Sequence, residues 1–124
     1  MENLKISATK YTPEIDFNFE SNSLKIVGKS TPENTFEFFE PVKNWLNSYF
    51  EAPKETVITF NVPYFNSSSS RIMYDLFDIF LNAQESGSTI TINWEYGENN
   101  ENGEESGEEF QEDFEDLNIN LVVV

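Results

Sequence analysis

The chain has 124 residues, 38% of them hydrophobic with twelve Phe, a net charge of −16, and neither cysteine nor histidine. That length and apolar content suit one domain with a real core, so global disorder is excluded. The missing Cys and His remove disulfides, thiol catalysis, the usual general base and the commonest metal ligand, and the acidity disfavours nucleic-acid backbones and anionic membranes as partners.

Leu4–Thr9 reads as a short strand, followed by a turn at Tyr11-Thr12-Pro13. Ile15, Phe17 and Phe19 alternate with Asp16 and Asn18, the period-two pattern of a half-buried strand. Ser21-Asn22-Ser23 connects it to Leu24–Val27, so a hairpin is expected. Ser30-Thr31-Pro32-Glu33 has the chemistry of a helix start: a capping hydroxyl, Pro for the first turn and an acid for the dipole. Phe36, Phe39, Val42, Leu46, Tyr49 and Phe50 then recur at helical spacing, and Pro41 predicts a kink or break among them.

Thr56–Val62 is rich in β-branched residues and reads as a strand that Pro63 ends. Beyond the serine run, Ile72, Met73, Leu76, Phe77, Phe80 and Ala83 trace one helical face, and Gly87 is placed to end that helix. Thr89–Tyr96 alternates as a strand, with Ile90, Ile92 and Trp94 on one side. Gly97–Gly107 is rich in Asn, Gly and Glu and reads as an acidic flexible loop, with a short helix after it around Phe110 and Phe114. Asn118–Val124 supplies a last strand. The order predicts a single α/β domain over residues 1–124, with one mixed sheet and helices packed mainly on one face.

Charge is unevenly placed. Residues 1–71 hold nine acids and all seven basic residues, whereas 72–124 hold fourteen acids and no base. The acidic half is a solvated surface able to attract a basic partner. No stretch approaches the ~20 apolar residues of a membrane span, so a cytoplasmic protein is expected. Glu98, Asn100, Asn102, Gly103 and Glu109 fall at the spacing of a calcium loop, which gives an alternative reading as a cation-binding domain. Against it, the first position is Glu where Asp is usual, and the preceding segment reads as a strand. No Gly-rich phosphate loop, nucleophile elbow or metal-ligand cluster is present, so no catalysis and no cofactor are expected.

The most distinctive local feature is Asn66-Ser67-Ser68-Ser69-Ser70-Arg71 at the start of the second long helix. Asn66 or a serine can cap the open N–H groups there, and the same donors and dipole favour an anion. Four consecutive hydroxyls exceed what capping requires. A phosphate on one of them is therefore tolerable, but this argument does not choose among Ser67, Ser68, Ser69 and Ser70.

Several segments together carry a resemblance: Ala8-Thr9-Lys10-Tyr11-Thr12-Pro13, Pro32-Glu33-Asn34, Phe36-Glu37-Phe38-Phe39, Trp45-Leu46, Tyr64-Phe65-Asn66-Ser67-Ser68-Ser69 and Asn93-Trp94-Glu95-Tyr96. In this order and spacing the chain resembles the SiaC family of bacterial regulatory phosphoproteins, whose fold is related to STAS-type anti-sigma-factor antagonists. The resemblance implies a STAS-like fold. It also implies a phosphoacceptor directly after the motif Asn, typically Thr and here Ser67, with Asn66, Ser68, Ser69, Ser70 and Arg71 as the switch and docking surface. It implies partner switching: a Ser/Thr kinase and a PP2C-type phosphatase act on the protein, and the unphosphorylated form binds an effector such as a diguanylate cyclase.

Overall fold

A computed structural model describes residues 1–124. Three strands, β1 (Leu4–Ile6), β2 (Glu14–Asn18) and β3 (Ser23–Val27), form an antiparallel meander. Asn22 adopts positive φ in the tight β2–β3 turn, a conformation Asn tolerates better than most residues. The chain then alternates helix and strand: α1 (Thr35–Tyr49), β4 (Glu55–Asn61), α2 (Ser67–Glu85), β5 (Thr89–Tyr96), α3 (Glu101–Asp113) and β6 (Asn118–Val123).

The six strands lie in the sheet in chain order, with β3, β4, β5 and β6 parallel to one another. Three successive right-handed crossovers stepping in one direction put all three helices on the same face. This is the mixed α/β sheet with one-sided helices that the sequence order predicts.

Period-two patterning explains which face is covered. Ile15, Phe17, Leu24, Ile26, Ile58, Phe60, Ile90, Ile92, Trp94 and Ile119 point into the helix layer and are buried. The opposite face stays open, and the register aligns Lys5, Asp16, Lys25, Thr59, Asn93 and Asn120 across it. In the core, the Phe77 ring meets those of Phe60 and Phe110 edge-on at 5.3 and 4.4 Å. Trp94 is buried with its Nε1 donating to Gly103 O at 2.8 Å, so its polar handle is satisfied. Trp45 is half-buried, stacked on Tyr49, and donates to Glu2 O.

Three local expectations are corrected. α1 starts at Thr35 and not at Ser30–Glu33: Asn34 is the cap, accepting from Glu37 N while its Nδ2 donates to Glu37 Oε2 at 2.6 Å. Pro41 causes no break: α1 runs through it, and both Pro41 and Glu37, whose carbonyl a proline at this position leaves without its usual N–H donor, are exposed residues. Phe36, expected on the core face, is exposed.

A fourth correction is the largest. Gly97–Gly107 is not a flexible loop, since α3 begins at Glu101 and runs to Asp113. Asn100 caps it by accepting from Gly103 N at 3.0 Å. Gly103 and Gly107 are close-approach residues: a Cβ on Gly107 would sit 2.5 Å from Leu121 and 2.7 Å from Trp94. The helix also removes the calcium-loop reading of Glu98, Asn100, Asn102, Gly103 and Glu109. Asn102, Gly103 and Glu109 lie along α3 and Asn100 caps it, so at about 1.5 Å rise per residue they are strung along a rod and do not wrap one ion.

Candidate functional site

The carboxyl ends of β3, β4 and β5 lead into the N-termini of α1, α2 and α3, so three positive helix ends gather at one edge of the molecule. Beyond β3 and β4 the chain continues briefly in register. Ser30 N donates to Tyr64 O at 2.9 Å and Asn66 N to Ser30 O at 3.1 Å. This short bridge places Ser30 against the first turn of α2.

Asn66 adopts extended backbone angles and its Oδ1 accepts from Ser69 N at 2.9 Å, making it the N-cap of α2. Ser70 N donates to Asn66 O at 3.0 Å. The N–H groups of Ser67 and Ser68, the first two of the helix, are the donors still open.

The structure separates the four serines by role. Ser69 is fully buried; its Oγ donates to Ser30 O at 3.0 Å and lies 2.8 Å from Ser30 Oγ. Ser68 is half-buried, 2.8 Å from Thr35 Oγ1, and donates to Asn66 Oδ1 at 3.2 Å. These hydroxyls join the start of α2 to the start of α1. Ser70 is half-buried in the first turn, and Ser67 alone among the four is exposed. Placing Ser69 on the docking surface is therefore corrected, because its hydroxyl is sealed beneath the helix start.

Arg71 is exposed and sits one turn after Ser67, on the same side of α2. Phe36, Ser67, Ser68 and Arg71 line a shallow depression of about 230 Å³. Three exposed aromatic residues belong to this end of the molecule. Tyr11, Phe36 and Tyr64 are 54%, 56% and 61% exposed. Their location follows from the backbone: Thr31 N donates to Tyr11 O and Ser30 N to Tyr64 O, so both tyrosines belong to the same end as α2's first turn. Asn100 at the start of α3 reaches this end too, donating to Pro63 O at 3.1 Å. Ser30 and Thr35 had no sequence signal beyond being hydroxyls before a helix. Tyr64 had one, an aromatic directly after the proline that ends a strand.

The SiaC family regulatory phosphoprotein model matches residues 6–124. The chain belongs to the SiaC family. It is 32% identical over 102 residues to an uncharacterised protein of Pseudomonas aeruginosa strain UCBPP-PA14, covering 82% of this chain and 81% of that one. Among solved structures, SiaC of Pseudomonas aeruginosa superposes with a TM-score of 0.86 at 27% identity, covering 100% of this chain and 98% of that one. The structure of diguanylate cyclase SiaD in complex with its activator SiaC, also from Pseudomonas aeruginosa, gives 0.92 at 29% identity, covering 98% of this chain and 99% of the matched chain. This SiaC-family chain is thus a member of a group of regulatory phosphoproteins. No helix in it is long and apolar enough to cross a membrane.

Proposed function

We propose that this protein is a partner-switching regulator whose state is set by phosphate on Ser67. A Ser/Thr kinase adds the phosphate, a PP2C-type phosphatase removes it, and the unmodified form binds and activates an effector of the diguanylate cyclase class, with no catalysis by the chain itself. The observation that carries the reading is the division of the serine run. The position after Asn66, where the family resemblance puts the phosphoacceptor, holds the exposed hydroxyl, while Ser68 and Ser69 are engaged in hydrogen bonds.

The effector half rests on the exposed Phe36 beside Ser67 and the nearby Tyr11 and Tyr64, which offer aromatic anchors for a partner surface. A phosphoserine would bring about −1.5 to −2 charges into that contact, and its desolvation opposes docking. Burying an unmatched charge there costs roughly 2 kcal/mol or more, so phosphorylation should weaken effector binding by about 30-fold.

The test has two parts. The protein is incubated with ATP and candidate Ser/Thr kinases from its own organism, and phosphate is mapped by mass spectrometry in the parent and in Ser67→Ala. Full incorporation in Ser67→Ala overturns the site. Calorimetric titration of a diguanylate cyclase from the same organism with the unmodified and phosphorylated forms then reads the switch; equal affinities would refute it.

A further inference from the structure

β6 is the outermost strand and pairs only with β5. In a parallel ladder, backbone groups of successive residues face alternate sides. Val124 N donates inward to Tyr96 O at 2.9 Å, so Asn118, Asn120 and Val122 also face β5, and Ile119, Leu121 and Val123 face outward. Gln111 on α3 supports this phase, because its Nε2 reaches the outer edge and donates to Ile119 O at 2.9 Å. That contact closes the first outward carbonyl. The N–H and C=O groups of Leu121 and Val123 remain open.

Exposed edges are normally guarded by charge, proline, a bulge or shortness. The opposite edge follows that rule: β1 has three residues and carries Lys5. Asn118–Val123 has neither charge nor proline and ends in exposed Val123. We propose that the Leu121–Val123 edge accepts an extended, cationic segment of a partner protein by strand addition.

The surrounding charge selects this occupant over a second copy of the chain. Of the thirteen residues of α3, seven are acidic and none is basic. Antiparallel pairing of two β6 edges would set two such helices side by side on one face, with like charges opposed. A cationic segment reverses the sign of that interaction. The pleat also dictates its pattern. Leu121 packs on the core side beneath α3, whereas Asn120 and Val122 lie on the open face. Every second residue of the incoming strand therefore lies on the α3 side, where Lys or Arg is favoured, and the others lie beside Val122, where β-branched residues fit.

The probe is acetyl-Lys-Val-Lys-Val-Lys-Val-amide, with a Glu-for-Lys version as control, added to the full chain carrying Ser67→Ala so that the result is independent of phosphorylation. Amide exchange is followed by NMR. The Leu121 and Val123 amides should exchange at least about 10-fold more slowly with the probe, an effect that weakens with salt. Val123→Pro deletes an outward N–H and spares the β5 ladder, so it should lower probe affinity about 10-fold while the β5 amides keep their protection. If that variant loosens the ladder, the protection pattern in the Ser67→Ala chain decides alone. Probe binding without protection at Leu121 and Val123, or equal binding of the Glu control, overturns the proposal. Concentration-dependent protection of these two amides without probe overturns it in favour of a second copy.

Discussion

Phosphate on Ser67 should stabilise the fold slightly, and Arg71 should account for part of that gain. Ser67 is the first residue of α2, where the Ser67 and Ser68 N–H groups are open and the helix dipole favours an anion. At an exposed helix end the dipole contributes about 0.3–1 kcal/mol, and an exposed i,i+4 ion pair about 0.3–0.5 kcal/mol. Together they amount to about 1 kcal/mol, or about 3–4 °C in Tm for a domain of this size. The net charge of −16 opposes any added anion, but at physiological ionic strength charges beyond about 8 Å are screened while both local terms act within that range.

Scanning calorimetry of unmodified and phosphorylated protein, in the parent and in Arg71→Gln, measures the effect directly. The phosphorylated parent should melt higher, and Arg71→Gln should lose about a third of the increment. Phosphorus NMR offers a second reading. The second phosphate ionisation, ordinarily near about 6, should move down beside Arg71 and return upward in Arg71→Gln. A phosphate that lowers Tm, or an increment and titration unaffected by Arg71→Gln, would refute the helix-end argument.

Ser69→Ala should destabilise by about 1–2 kcal/mol in urea unfolding, because it strips the Ser30 hydroxyl and carbonyl of a buried partner. Ser67→Ala, at an exposed position, should stay within about 0.5 kcal/mol of the parent. Gly107→Ala forces a methyl into Leu121 and Trp94 and should cost about 1–3 kcal/mol, with Trp94 fluorescence reporting the disturbed packing. Burial, the hydrogen bond to Asp113 and the neighbouring carboxylates push the Tyr74 phenol up to about 12. The unfolded chain deprotonates this group first, so its contribution is complete below about pH 10 and is lost as pH rises through about 12. Tyr74→Phe should flatten that alkaline decline in stability.

Where backbone period and burial coincide, the sequence was readable. Ile90, Ile92 and Trp94 alternate strictly, and β5 begins and ends at Thr89 and Tyr96 as expected. α3 was hidden because its glycines look like turn signals. Gly103 and Gly107 stand four residues apart on one side of a helix; Gly103 lets its backbone approach Tyr96 and Gly107 lets it approach Trp94 and Leu121, a packing role that needs the neighbouring strands to be seen. Pro41 misled for a related reason: its cost depends on whether the freed carbonyl meets water, which the chain order does not tell. At the site, Asn66 and the serines were legible as a helix start. Their division of labour was not, since it depends on Ser30 and Thr35, dozens of residues earlier in the chain.

That division bears on how a signal leaves the site. Ser68 and Ser69 tie the first turn of α2 to α1 and to the Ser30 bridge, and Asn66 completes the cap without help from Ser67. A phosphate on Ser67 therefore breaks none of the bonds that hold the turn. With only about 1 kcal/mol of local electrostatics to exert, it is also too weak to repack a core of 25 buried residues. The fold should stay as it is, and the change should lie in what the surface presents: an anion set beside Phe36. Under the proposed function, a partner would read phosphate on Ser67 by charge and desolvation, and Arg71, by partly neutralising it, would set how large that difference is.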